Sequence, residues 1–365
     1  MDPVLTSAAL TRSHGGVNTA RLALVALLLC QAVIYWPLSR APYVFEDPHY
    51  FRAPAAWTLP GRGLAVSSLL ELDEFGARGA HLTNVGLHLG NTVLLFGVTS
   101  WLLGPWVALV ASGVFLQHPL MSEAVSYASA RGDLLVTTFT LAAIWLAVSW
   151  TDRAGFWRLA GCVGCVALAA LSKEIGLIGA PLVGLVLLTW RRKRLATHLL
   201  LAMGGAALTV AVIIRLPWLV SLWQLGPSTP GFSWGFALQQ QATAFLNLLS
   251  LVVYPFGRLS IDHDAYALAH AWGVVPIVAL STLIVGVCAW WVVRPQQAWA
   301  AIFVLLAVAP RFIVTAADPL HEYQFALPFV GVAILAGTLI VKGWTAVERQ
   351  VDVSARKHVS STRSV

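Results

Sequence analysis

Charge is what this chain has least of. Asp, Glu, Lys and Arg make up only 11% of its 365 residues while 58% are hydrophobic, against about 25% charged in soluble domains. With a mean hydropathy of +0.76, a water-soluble fold is excluded. At about 20 residues per span, the length is filled by roughly ten crossings, which leaves no room for a large soluble nucleotide-binding domain. Also lacking is a Gly-rich loop of the kind that cradles nucleotide phosphates. Cysteine is scarce: Cys30, Cys162, Cys165 and Cys288 stand in apolar stretches with no His or polar neighbour at metal-ligand spacing. They read as inert thiols, and Cys162-x-x-Cys165 lacks the βαβ surroundings of a redox motif. No fixed-period repeat, low-complexity segment or cleavable leader is visible.

What is present is a series of apolar runs. Hydropathy places spans near 20–38, 82–103, 105–118, 132–150, 157–171, 175–190, 195–214, 271–293, 298–315 and 323–341. The stretch 240–257, with Gln240, Gln241 and Asn247, is ambiguous between a span and a re-entrant or surface-lying segment. The expectation is an all-α polytopic protein of 10 or 11 transmembrane helices. Residues 1–341 form the membrane domain, 40–81 a long first external loop with amphipathic pieces, and 342–365 a polar, frayed cytoplasmic tail. With the N-terminus inside, the cytoplasmic segments carry 14 basic and four acidic residues, net +10, and the external ones nine basic and 12 acidic, net −3. That asymmetry obeys the positive-inside rule, and it accounts for the +7 total without nucleic acid.

The external ends gather nearly all the remaining ionisable residues: Glu46-Asp47-Pro48-His49, His118 to Asp133, Lys173-Glu174, Asp262-His263-Asp264, Arg311, and His321-Glu322. Charge near membrane depth is costly and usually faces a cavity or a partner, so its collection at one level points to a single polar site. His81, Asn84, His88 and Asn91 fall at steps of three, four and three, on one helical stripe. Such a stripe either lines a site or hydrogen-bonds between helices. Glu46-Asp47 pairs two carboxylates before a proline, which suits a base and its orienting neighbour. Arg131, Lys173 and Arg311 stand at span ends, where cations either snorkel or bind phosphate; Arg258 is a fourth. Arg131 has Asp133 close by and Lys173 has Glu174, as pairing partners. No metal site is assigned; His49 beside the acids leaves room for a divalent cation without requiring one.

These residues together resemble the glycosyltransferase C superfamily, in particular the transmembrane and tetratricopeptide-repeat O-mannosyltransferases and their bacterial relatives. Glu46-Asp47 is similar to the family's acidic pair, with Glu46 where Asp is usual, and His81-x-x-Asn84-x-x-x-His88 to its second-helix pattern. His118-Pro119-x-x-x-Glu123 followed by Arg131-Gly132-Asp133-Leu134-Leu135 resembles its most specific block. Ser172-Lys173-Glu174-Ile175-Gly176, the stretch from Pro255 to Asp264, and Pro310-Arg311 with Glu322-Tyr323 look like the later blocks. Arg62-Gly63-Leu64 departs from the usual R-P-L, and no tetratricopeptide repeats follow the last span.

The resemblance implies an inverting membrane glycosyltransferase, for instance a mannosyltransferase, of the bacterial inner membrane, active on the external face. It would move a sugar from a polyprenyl-phosphate donor to a hydroxyl of a protein, lipid or glycan. Asp47 and Glu46 would be catalytic, and Arg131, Lys173, Arg311 and Arg258 would bind the donor phosphate. His81, His88, His118, Glu123, Asp133, Glu174, Asp262, His263, Asp264, His321 and Glu322 would line the site. No cofactor is required beyond the lipid-linked substrate, and the partners are that donor, the acceptor and membrane lipids. A transporter or flippase for a polyprenyl-linked anion is the competing expectation, but transporters typically show duplicated halves with broken midplane helices. A noncatalytic scaffold would not need so many ionisable residues at one level.

Overall fold

The computed structural model describes residues 14–43, 76–152, 155–190, 197–198, 200–209, 212–213, 220, 233–256, 272–313 and 321–362, with the backbone alone for 14–15, 150–152 and 352–362. Every regular element among them is helical. In chain order these are α1 His14–Tyr35, α2 Gly76–Leu103, α3 Pro105–Gln117, the short α4 Ser122–Ser126, α5 Arg131–Asp152, α6 Phe156–Ser172, α7 Gly179–Trp190, α8 Trp234–Val253, α9 Val275–Val293, α10 Pro295–Ile313 and α11 Ala326–Thr362. Six helical stretches are long and apolar enough to cross a membrane, and four shorter apolar helices, including Leu200–Thr209, accompany them. The protein is an integral membrane protein.

Against the hydropathy map, the described residues show three differences. First, α2 begins at Gly76 rather than near 82, because Ala80 and His81 are covered by protein and their polarity meets no lipid. Second, residues 240–253 of the ambiguous stretch belong to one 20-residue helix, α8, whose Gln241 and Thr243 are buried in the bundle. Third, the tail expected to fray continues α11 as helix to Thr362. By contrast α9, apolar all round, is almost entirely exposed on the outside of the bundle, as a lipid-facing helix can be.

The core is built by helical hairpins. Gly104, at φ 96, makes the reversal between α2 and α3 in a conformation that L side chains rarely adopt, and Pro105 opens α3 where its missing N–H costs nothing. In a membrane, where lipid is as apolar as Leu, helices are held by close packing rather than by the hydrophobic effect. Accordingly a Cβ on Gly331 would lie 2.6 Å from the Ala300 carbonyl of α10, and one on Gly337 would lie 2.8 Å from the Val107 carbonyl of α3. Both glycines are on α11, so one helix uses two small positions to approach two neighbours. Gly337→Ala should therefore force α11 off α3 and lower stability by about 1–3 kcal/mol, read as an earlier melting transition in detergent; an unchanged melt would show that α3 yields without cost.

Candidate active site

Three segments rich in 3-10 turns, 118–130, 173–178 and 321–325, meet at one end of the bundle. Irregular backbone at membrane depth is tolerated only where protein covers it or it lines a cavity. His118 anchors the first break. Its Nδ1 accepts the Leu120 N–H at 3.2 Å and its Nε2 lies 3.1 Å from the Val252 carbonyl of α8. A backbone N–H only donates and a carbonyl only accepts, so Nδ1 is bare and Nε2 carries the proton. Burial holds this imidazole below the usual histidine range, partly opposed by the bond to Val252. His118 is a neutral joint between α3 and α8, and Phe329 of α11 packs against its ring at 4.9 Å.

Arg131 opens α5 and is fully buried. Its Nε donates to Asn84 Oδ1 at 3.1 Å and its Nη2 to the Ala80 carbonyl at 3.0 Å, while Asn84 Nδ2 donates to the Tyr127 carbonyl at 2.9 Å. The second and third turns of α2 thus present the acceptors that hold this guanidinium. Asp133, two residues on, points elsewhere, since positions i and i+2 do not share a helical face. Asp133 therefore does not pair with Arg131, and the carboxylate serves another cation.

That cation is Lys173. Its Nζ lies 2.6 Å from Asp133 Oδ2, with both residues more than nine-tenths buried. α6 ends at Ser172, and Lys173 is extended, at φ −158 and ψ 156, before the 3-10 turn Glu174–Ile178. The chain folds back so tightly that a Cβ on Gly176 would lie 1.9 Å from the Ala169 carbonyl. Only glycine fits there, which explains the glycine of the Ser172–Gly176 motif. Across this break Lys173 reaches a carboxylate 40 residues earlier in the chain. Asp133 Oδ1 is buried without a hydrogen-bond partner.

Tyr323 closes the cluster. Lys173 Nζ sits 5.2 Å from the centroid of its ring, and its backbone N–H donates to Glu123 Oε2 at 2.8 Å, joining α4 to the 3-10 turn Glu322–Phe325 across 200 residues of sequence. His321 stacks on the ring at 5.6 Å, and Tyr127 meets it edge-on at 5.4 Å. The charges of Asp133 and of Arg311, in the last turn of α10, both act on the Tyr323 phenol. Sequence reasoning placed Arg131, Asp133, Lys173, Glu123, Arg311, His321 and Glu322 in this region; Tyr323 was read only as part of the Glu322-Tyr323 motif, without a role, and Tyr127 was passed over.

The α2 stripe divides. His81 is buried with Nε2 3.2 Å from the Pro42 carbonyl, next to the Arg131 anchor at Ala80. His88 lies about 10 Å further along the helix, bonded to the Leu116 carbonyl at 3.1 Å and stacked on Phe115. Asn91 bonds the Leu134 carbonyl and accepts from Thr138. His88 thus fastens α2 to α3, two turns further along the helix than His81. Glu174 is half-buried in its 3-10 turn and Glu322 is buried. Glu46, Asp47, Arg258, Asp262, His263 and Asp264, and most of the 40–81 loop, lie outside the described residues. Among the described residues no three His, Cys, Asp or Glu side chains come together as metal ligands.

No family model matches this chain, and no curated protein does. Among solved structures, that of ArnT from Cupriavidus metallidurans bound to undecaprenyl phosphate is similar, at 18% identity and a TM-score of 0.49, over 86% of this chain and 59% of ArnT. The chain therefore spans about three fifths of the length of the protein it matches.

Proposed function

We propose that this protein is a membrane glycosyltransferase that transfers a sugar from a polyprenyl-phosphate donor to an acceptor hydroxyl, with inversion. The observation that carries the reading is the convergence of sequence-distant motifs at one end of the bundle: Arg131 and Asp133, Lys173, Glu123, Arg311 and Tyr323 come from four different parts of the chain. As the glycosidic bond breaks, charge grows on the departing phosphate, and fixed cations in a covered site stabilise that charge without proton transfer. An ammonium carries three N–H donors, so the bond from Lys173 to Asp133 is compatible with a further contact to a phosphate oxygen. Asp47 is the base that takes the acceptor proton, with Glu46 orienting it, and the site faces the side opposite the Arg191-Arg192-Lys193-Arg194 run.

The test is incubation of the purified protein, in lipid nanodiscs, with undecaprenyl-phosphate sugars and candidate acceptors. Release of undecaprenyl phosphate with a new glycoside supports the reading. Tight donor binding without turnover for any sugar would favour a transporter. Arg311→Gln is expected to weaken undecaprenyl phosphate binding about 10- to 100-fold, the size of a lost charge-assisted contact. Arg349→Gln, exposed far along α11, should leave binding unchanged. Topology is tested separately. In a cysteine-free background, a cysteine at Val351 should resist impermeant thiol reagents in intact cells, because Lys342, Arg349, Arg356 and Lys357 follow the last apolar run. Labelling from outside would place the cluster on the cytoplasmic side.

A further inference from the structure

Lys173 stands at a helix break on a long flexible stem, yet the proposed chemistry needs its ammonium in one place. An ion pair with Asp133 fixes the distance to one oxygen, and an aromatic face adds a contact from a second direction. The Tyr323 ring covers Nζ at 5.2 Å, and a desolvated cation–π contact is worth about as much as a good hydrogen bond. The ring is itself immobilised from three directions. Glu123 accepts its backbone N–H at 2.8 Å, His321 lies nearly parallel at 11°, and Tyr127 braces its edge. Its hydroxyl accepts from Gln324 Nε2 at 3.0 Å, so the phenol is engaged along the turn rather than directed at Lys173.

We propose that Tyr323 is a positioning residue: its ring, locked to α4 through Glu123, holds the Lys173 ammonium against Asp133 in the orientation that receives the donor phosphate. This assigns Glu123 a specific part as well, acting on Lys173 through Tyr323 and not on the substrate. The importance of the cation for the donor rests on the glycosyltransferase reading; the placement of the cation by the ring does not.

The experiment uses the full-length protein and two independent readouts. The first is the rate at which Lys173 is modified by an amine-reactive reagent, followed by peptide mass spectrometry. The second is undecaprenyl phosphate affinity alongside turnover at saturating donor. Tyr323→Leu is expected to raise Lys173 labelling at least fivefold, to weaken binding about tenfold and to lower maximal turnover as well, since a misplaced cation stabilises the departing phosphate less, while Tyr323→Phe, which restores the ring, recovers most of all three. Trp190→Leu, which breaks the edge-on contact of half-buried Trp190 with buried Trp299, should lower the melting temperature without changing Lys173 labelling. If Tyr323→Leu does not fold, Tyr323→Met keeps bulk without a π face and is read in the same way. Unchanged Lys173 labelling in the ring-less variant would overturn the proposal. Raised labelling in a protein that binds no undecaprenyl phosphate even as wild type would uphold the positioning role while refuting the glycosyltransferase reading.

Discussion

Lys173→Met is expected to destabilise the protein by about 3–5 kcal/mol, the cost of leaving one member of a buried ion pair without its partner. Asp133 is 2% exposed, and its Oδ1 already lacks a hydrogen-bond partner. Removing the 2.6 Å bond from Lys173 would leave both carboxylate oxygens without that compensation in a covered site. Thermal unfolding in detergent should register this as a large drop in the melting transition. The companion measurement separates stability from function. In the double variant Lys173→Met with Asp133→Leu, no buried charge is orphaned and side-chain size is nearly kept, so stability should return close to wild type. Donor binding should not return, since the cation is still missing. If the single variant melts like the wild type, the pair is better hydrated than its burial implies; if the double variant binds donor normally, the phosphate site lies elsewhere.

The spans were legible because lipid imposes one requirement along about 20 residues at a time, and composition alone reports it. Legibility failed where protein, not lipid, surrounds a helix. The start of α2 at Gly76 and the polar middle of α8 both look wrong for a membrane until Ala80, His81 and Gln241 are seen to be buried against other helices. The motifs showed which residues matter but not which ones touch. Neighbours in sequence were natural partners for Arg131 and Lys173, yet a helix turns about 100° per residue, so Asp133 is rotated away from Arg131 and reaches a lysine 40 residues further on. Nothing local in the sequence encodes that pairing. The parts played by Tyr127 and Tyr323 were hidden for a different reason. Among 16 Trp, 15 Phe and 7 Tyr residues, aromatic character does not distinguish a residue that braces a cation from one that meets lipid.

Asp47→Asn is expected to abolish transfer, lowering turnover by about 10²- to 10⁴-fold, the usual contribution of a positioned general base. The amide keeps the size of the carboxylate and most of its hydrogen bonding, but it cannot take the acceptor proton. Donor affinity should stay within about threefold of wild type, because the proposed phosphate contacts come from Arg311, Lys173 and Arg131, on α10, after α6 and on α5. A loss in kcat with unchanged donor binding is the pattern of a group that acts in the transition state. Asp47 is chosen over Glu46 because it directly precedes Pro48, whose fixed φ restricts the residue before it to extended geometry and so narrows the directions its side chain can take. Glu46→Gln should then be the milder variant, reducing turnover by loss of orientation and not of the base. If Glu46→Gln is dead while Asp47→Asn turns over near normally, the two exchange roles. If both remain active, proton removal is not done by this pair, and the base must be sought among the buried acceptors of the cluster, where Asp133 Oδ1 and His81 Nδ1 stand without partners.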